Sequence, residues 1–166
     1  MSFHIGDKVI HSNHGFAEIV DIESKVVSGN SSEYYVVQTK NLILWSPVLN
    51  HAQGNLRLPT SESKFIDLLT ILRSHCLPFS EFRKERKSQI HTRINDGATE
   101  STCSLIRDLS FCQRNGKLNE YESSIFKRAV NMLIDEWQYS MSISQAQASL
   151  ELNALLDESY SLSLKE

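Results

Sequence analysis

The run LPFSEFRKERK, residues 77–87, places Arg83, Lys84, Arg86 and Lys87 directly behind Phe82. Cations at such density hold phosphates, and each phosphate neutralised releases condensed counterions. A flat apolar group beside them can push into a base step from the minor groove. The chemistry on offer is therefore non-covalent, a grip on a polyanion backbone combined with an aromatic wedge. Two plainer readings compete. A charge run is commonly a solvated helix face. Phe82 also shares four-residue spacing with Arg86, Ile90 and Ile94, so it could belong to a core stripe.

No constellation for covalent catalysis stands beside it. His11 and His14 flank an expected turn before Gly15, and no further Cys, His or carboxylate completes a metal site around them. His4, His51, His75 and His91 are scattered. There is no G-x-S-x-G elbow, no G-x-x-x-x-G-K-[ST] loop and no G-x-G-x-x-G. Asp135 and Glu136 are adjacent on an expected helix and point to different sides. The chain reads as a non-enzyme with no cofactor and no metal. Cys76, Cys103 and Cys112 are odd in number and form no C-x-x-C pair, which predicts reduced thiols and a cytoplasmic setting. No stretch approaches a membrane span, and the start MSFHIGDKV has no apolar signal region.

Charge is unevenly distributed. The chain has 166 residues and a formal net charge of −3. Residues 73–93 carry six cations and two anions, whereas residues 129–166 carry one cation and six anions. Net charge alone would argue against a polyanionic partner, but the local field decides.

The elements that must position these residues change character near residue 60. Before it, DKVIHS, FAEIVDIES, EYYVVQT and LILWS read as strands, with turns at Gly15 and at Gly29-Asn30. The alternation in FAEIVDIES is imperfect. Four or five short strands predict a small antiparallel SH3-like or Tudor-like module. Beyond residue 60 the spacing is helical. Phe65, Leu68, Leu69 and Leu72 form one stripe, which Pro78 should stop. Ser80 is placed to cap a second helix that ends at Asp96-Gly97. Thr99 opens a third, with Leu105, Ile106, Leu109 and Cys112 inward and Asn115-Gly116 closing it. Asn119 with Glu122 forms a capping-box pattern before a fourth helix carrying Ile125, Phe126, Ala129, Val130, Leu133 and Trp137. Ser144 with Gln147 repeats that logic before a fifth, carrying Ala148, Leu152, Leu155 and Leu156. The expected class is α+β, a β module over 1–58 followed by an all-α domain of about five helices over 59–166.

FHIGDKVIHSNHGFAEIVDIE, then GNSSEYYVV, then SPVLNHAQGNLRLP resemble the N-terminal domain of the CarD/CdnL family of bacterial transcription regulators, a domain shared with the transcription-repair coupling factor. DGATESTCSLIRDL is similar to the family's Gly-Asp…Arg-Asp-Leu segment, and GKLNEYESSIFKRAVNMLIDE to its Gly-Leu…Glu…Ala…Leu…Glu segment. The resemblance covers roughly residues 3–158 and implies a concrete function. The Tudor-like domain would bind the RNA polymerase β subunit. The helical domain would lie on promoter DNA at the upstream edge of the bubble and stabilise the open complex. Carried across, Lys25 and Trp45 match positions that face the polymerase. Phe82 matches the minor-groove wedge, and Arg83, Lys84, Arg86 and Lys87 match the phosphate-contacting patch. Nothing demands more than a monomer.

Two departures bear on the wedge. The family usually has Trp there, and Phe lacks the indole N–H that could bond a base. The Asp96–Gly97–Ala98 landmark also lies one residue further from Phe82 than the family spacing, so a gapless alignment would put Arg83 at the wedge position. Phe82 is preferred, because a charge is expensive to bury between unstacked bases. Trp45, where a basic residue can stand in relatives, implies a more apolar polymerase contact. The rival reading is a protein-only adaptor in which Phe82 is core.

Overall fold

A computed structural model describes residues 2–27, 30–48, 55–116 and 118–165. It divides into two compact units, Met1–Pro59 and Thr60–Glu166. Among the described residues the first is a five-stranded antiparallel sheet and the second is five helices, an α+β chain.

The sheet comprises β1 (Lys8–His11), β2 (Gly15–Val27), β3 (Asn30–Thr39), β4 (Ile43–Pro47) and β5 (Leu56–Arg57), in the order β4-β3-β2-β1-β5. The strands are not uniformly short: β2 runs 13 residues and β3 runs 10. Their register shifts between Ile19 and Asp21, leaving Val20 as an extra residue. This bulge explains the imperfect alternation, since an inserted residue swaps the faces of everything after it. Gly15, at φ 74°, opens β2 directly after the turn. The Gly29 half of the second expected turn, and His51, lie outside the described residues. One face buries Val9, Ala17, Ile19, Tyr35 and Val37, with Phe3, Leu44 and Leu56 packed against them.

His11 sits in β1, buried, with its Nδ1 accepting the Asn13 N–H at 3.1 Å and its ring 4.8 Å from that of His14. Burial, and secondarily the neighbouring His14, push its pKa down from 6.5 to about 4. Between those values the unfolded chain binds a proton that the folded one refuses, so stability falls as pH drops through that window. Urea melts of wild type and His11→Gln at pH 7 and 4.5 should show the wild type losing ground to the variant on acidification. A gap equal at both pH values refutes this.

The helices are α1 (Glu62–Arg73), α2 (Arg83–Asn95), α3 (Thr99–Arg114), α4 (Glu120–Met141) and α5 (Gln145–Ser163). Their common core gathers Phe65, Leu68, Leu72, Ile90, Ile94, Leu105, Ile106, Leu109, Leu133, Trp137 and Leu152 among others. The Asn119 side chain accepts from the Glu122 N–H at 3.0 Å and Glu122 reaches back to the Asn119 N–H, completing the capping box. Ser144 caps α5 by accepting from the Gln147 N–H. Glu136 is buried and accepts from the Thr60 N–H at 2.9 Å and the Thr60 hydroxyl at 2.7 Å, anchoring the lead-in to α1. No helix of the described residues is long and apolar enough to cross a membrane.

Two expected helix boundaries differ. α1 ends at Arg73, well before Pro78. There the Ser74 hydroxyl donates to the Ile71 carbonyl and accepts from Arg107 Nη1, each at 2.8 Å. Ser80 does not cap α2, because the N-cap residue is Phe82, which offers no side-chain hydrogen bond. Ser80 instead accepts the Phe82 N–H at 3.2 Å and donates to Glu85 Oε2 at 2.7 Å.

Candidate nucleic-acid and protein interfaces

Helix α2 carries the basic cluster, and its two faces have opposite tasks. Ile90 and Ile94 are buried. One turn before Ile90 on the same stripe lies Arg86. Its Nε and Nη2 donate to the two carboxylate oxygens of Glu122 at 2.6 and 3.0 Å. The Arg86 side chain is 18% exposed and that of Glu122 5%. Hydrogen bonding to Glu122 raises the Arg86 pKa further, so the guanidinium is charged at any ordinary pH. Further along, Arg93 Nη1 donates to Asp108 Oδ2 at 2.7 Å. Between the two arginines lies Phe79, buried, with the Arg86 and Arg93 guanidinium carbons 5.1 and 5.2 Å from its ring centroid. The inward face of α2 is thus a pair of arginine latches around an aromatic ring.

The outward face is different. Arg83, Lys84 and Lys87 are exposed, and none makes an ion pair with any described residue. Lys87 Nζ stands 5.6 Å from the Tyr121 ring centroid. Phe82 is 73% exposed. Its φ of −73° and ψ of 117° are extended, so it lies outside the helical phase that sends Arg86, Ile90 and Ile94 inward. Phe82 is therefore not core. Of the four clustered cations, three line the exposed face beside it and Arg86 is turned inward. The clue to Arg86 was its four-residue spacing from Ile90. Nothing in the sequence marked Phe79 and Glu122 as its supports, or Asp108 as the partner of Arg93.

In the other unit, Lys25 and Trp45 meet. Lys25 Nζ lies 3.5 Å from the Trp45 ring centroid. The indole Nε1 donates to Glu23 Oε2 at 2.9 Å, and Lys25 Nζ stands 3.7 Å from that same oxygen. Trp45 remains 46% exposed. Glu23 was not singled out by sequence reasoning, though its two-residue spacing from Lys25 puts both on one face of β2.

Cys76, Cys103 and Cys112 are free and buried. Burial pushes the Cys103 and Cys112 thiols up, so neither is poised as a thiolate nucleophile. Among the described residues no group of three or more His, Cys, Asp or Glu is placed to hold a metal ion.

Residues 3–57 match the family model of the CarD-like/TRCF RID domain, and residues 67–153 match that of the CarD C-terminal domain. The chain is also similar to a Bacillus subtilis (strain 168) protein named "Putative transcription factor YdeB", at 26% identity over 152 residues. That match covers 87% of this chain and 96% of the relative. Both halves match in order, the second over more than half of the chain, and the chain belongs to the CarD-like family of transcription regulators.

Proposed function

We propose that this regulator binds the RNA polymerase β subunit through Lys25 and Trp45 of the β unit. Its helical unit stabilises the promoter open complex at the upstream edge of the bubble. Phe82 enters the minor groove, and Arg83, Lys84 and Lys87 hold the flanking phosphates. Arg86 serves this surface from behind, fixing α2 rather than touching DNA.

The start of α2 is the observation that carries this reading. An exposed Phe at the N-cap forgoes the side-chain hydrogen bond that Ser, Thr, Asp or Asn would supply there, worth roughly 1 kcal/mol. Arg83 and Lys84 in the first turn oppose the positive end of the helix dipole, with Glu85 as the one acid there to offset them. Helices α1 and α3 also lack a side-chain cap, but neither opens on two adjacent cations, and α4 opens with a capping box and two acids in its first turn. Local choices that each lower stability belong to functional sites, and a polyanion with an accepting base step reconciles all of them. Three cations grip few phosphates, so DNA affinity alone is modest. A polymerase tether supplies the missing effective concentration.

The test is open-complex lifetime with wild type, Phe82→Ala and Arg83→Glu/Lys84→Glu. Phe82→Ala should stay folded, because an exposed side chain is removed. The lifetime should fall about tenfold, the scale of one lost stacking contact. A folded Phe82→Ala with wild-type lifetime sinks the wedge. If polymerase capture also persists, the protein-only adaptor is left standing.

A further inference from the structure

We infer that Glu23 is a positioning residue that presets Trp45 and Lys25 as one recognition unit, an inference that rests on the proposed polymerase-binding reading. Strand β3 lies between β2 and β4, and Trp45 pairs in register with Val36. Glu23, the acceptor of the indole N–H, pairs with Tyr34 on the far side of β3. The indole must therefore lie across β3 to reach it. This accounts for Val36, which points to the face opposite the module's core yet is only 6% exposed. Lys25, on the same face of β2 as Glu23, closes over the ring and faces the same carboxylate oxygen.

One carboxylate thus restrains two side chains. A half-exposed Trp and a Lys on an open sheet would otherwise sample several rotamers, and ordering them on association weakens binding. Glu23 removes that loss in advance. It also matches the Lys25 charge, so the unit presents a flat indole edged by a neutralised cation. The partner surface that fits is flat and apolar at its centre. Exposed Ile43, two residues before Trp45 on the same face of β4, extends that apolar strip.

The experiment uses the full chain and immobilised purified bacterial RNA polymerase core enzyme, with wild type, Glu23→Ala, Glu23→Gln, Trp45→Ala and the double variant Glu23→Ala/Trp45→Ala. Acrylamide quenching of fluorescence runs in parallel. Trp137 is fully buried, so quenching reports Trp45. Glu23→Ala should raise quenching and weaken capture roughly three- to tenfold, the range for one net hydrogen bond. Glu23→Gln, whose amide oxygen still accepts from the indole, should restore most of both. Glu23→Ala should add far less once Trp45 is gone, only what its hold on Lys25 contributes. Weakened capture by Trp45→Ala with full capture by Glu23→Ala overturns the inference alone. So does an additive loss in the double variant, which would make Glu23 a direct contact. Full capture of Trp45→Ala instead rejects the polymerase-binding reading, and the inference falls with it.

Discussion

Replacing Asp108 with Ala should destabilise the helical unit by about 4 kcal/mol, the scale for breaking a buried ion pair from one side. That would lower its urea midpoint by about 2 M. The Asp108 side chain is fully buried. Its Oδ1 accepts from the Leu77 N–H at 2.9 Å and from Arg107 Nε at 2.8 Å, and its Oδ2 accepts from Arg93 Nη1 at 2.7 Å. Three segments meet at this carboxylate: the connection after α1, helix α2 and helix α3. Removing it leaves the Arg107 guanidinium, itself buried, without the carboxylate that balances its charge and too far from solvent to recover the difference. Asp108→Asn should lie between wild type and Ala. An amide keeps one acceptor but turns an N–H₂ toward a guanidinium. Because Arg93 loses its anchor, the C-terminal part of α2 should lose hydrogen-exchange protection beyond the global effect. An Asp108→Ala protein with a wild-type midpoint would mean that the three donors re-pair locally and the hub has no energetic weight.

The position of Asp108 explains a pattern that the sequence could show but not interpret. Arg107-Asp108-Leu109 reads as one cation, one anion and one apolar residue on a helix, and only Leu109 carries an inward signal by spacing. Both charged residues are buried as well, because each satisfies the other and the backbone around it. Apolar periodicity made α1, α3 and α4 legible, down to Phe65, Leu105 and Trp137 on their inner stripes. The Asn119–Glu122 box was legible too, since its partners are three residues apart. What spacing cannot reveal is a contact made across 36 residues, such as Arg86 with Glu122. Charge reads as solvent-facing until a partner is known. Phe82 posed the inverse problem. Its spacing fitted the core, and only the extended backbone at the N-cap takes it out of phase. Val20 has the same lesson for the sheet: one inserted residue turned a regular alternation into an irregular one.

Glu122→Gln should separate the latch from the grip, because its effects on stability and on DNA binding run in opposite directions. The carboxylate holds Arg86 through two short bonds and also returns to the Asn119 N–H. A neutral amide can still serve the cap, but it pairs poorly with a bidentate guanidinium. The loss should be about 2 kcal/mol, below the usual range for a fully buried pair, because Arg86 is close enough to the surface to regain water. With Glu122 neutral, Arg86 can leave its stack on Phe79 and join Arg83, Lys84 and Lys87 as a fourth cation. The log–log salt slope for binding promoter-length DNA should then steepen by about 0.9, from near −2.7 to near −3.6, one phosphate more. Open-complex lifetime should nonetheless shorten, since a loosened α2 no longer holds Phe82 at a fixed angle to the base step and the preorganised geometry is lost. The combination is diagnostic. Weaker folding with a steeper slope and a shorter lifetime is the signature of a residue that aims the surface from behind. If instead the slope becomes shallower while stability is unchanged, Arg86 contacts phosphate in the wild type and its bond to Glu122 opens whenever DNA is present.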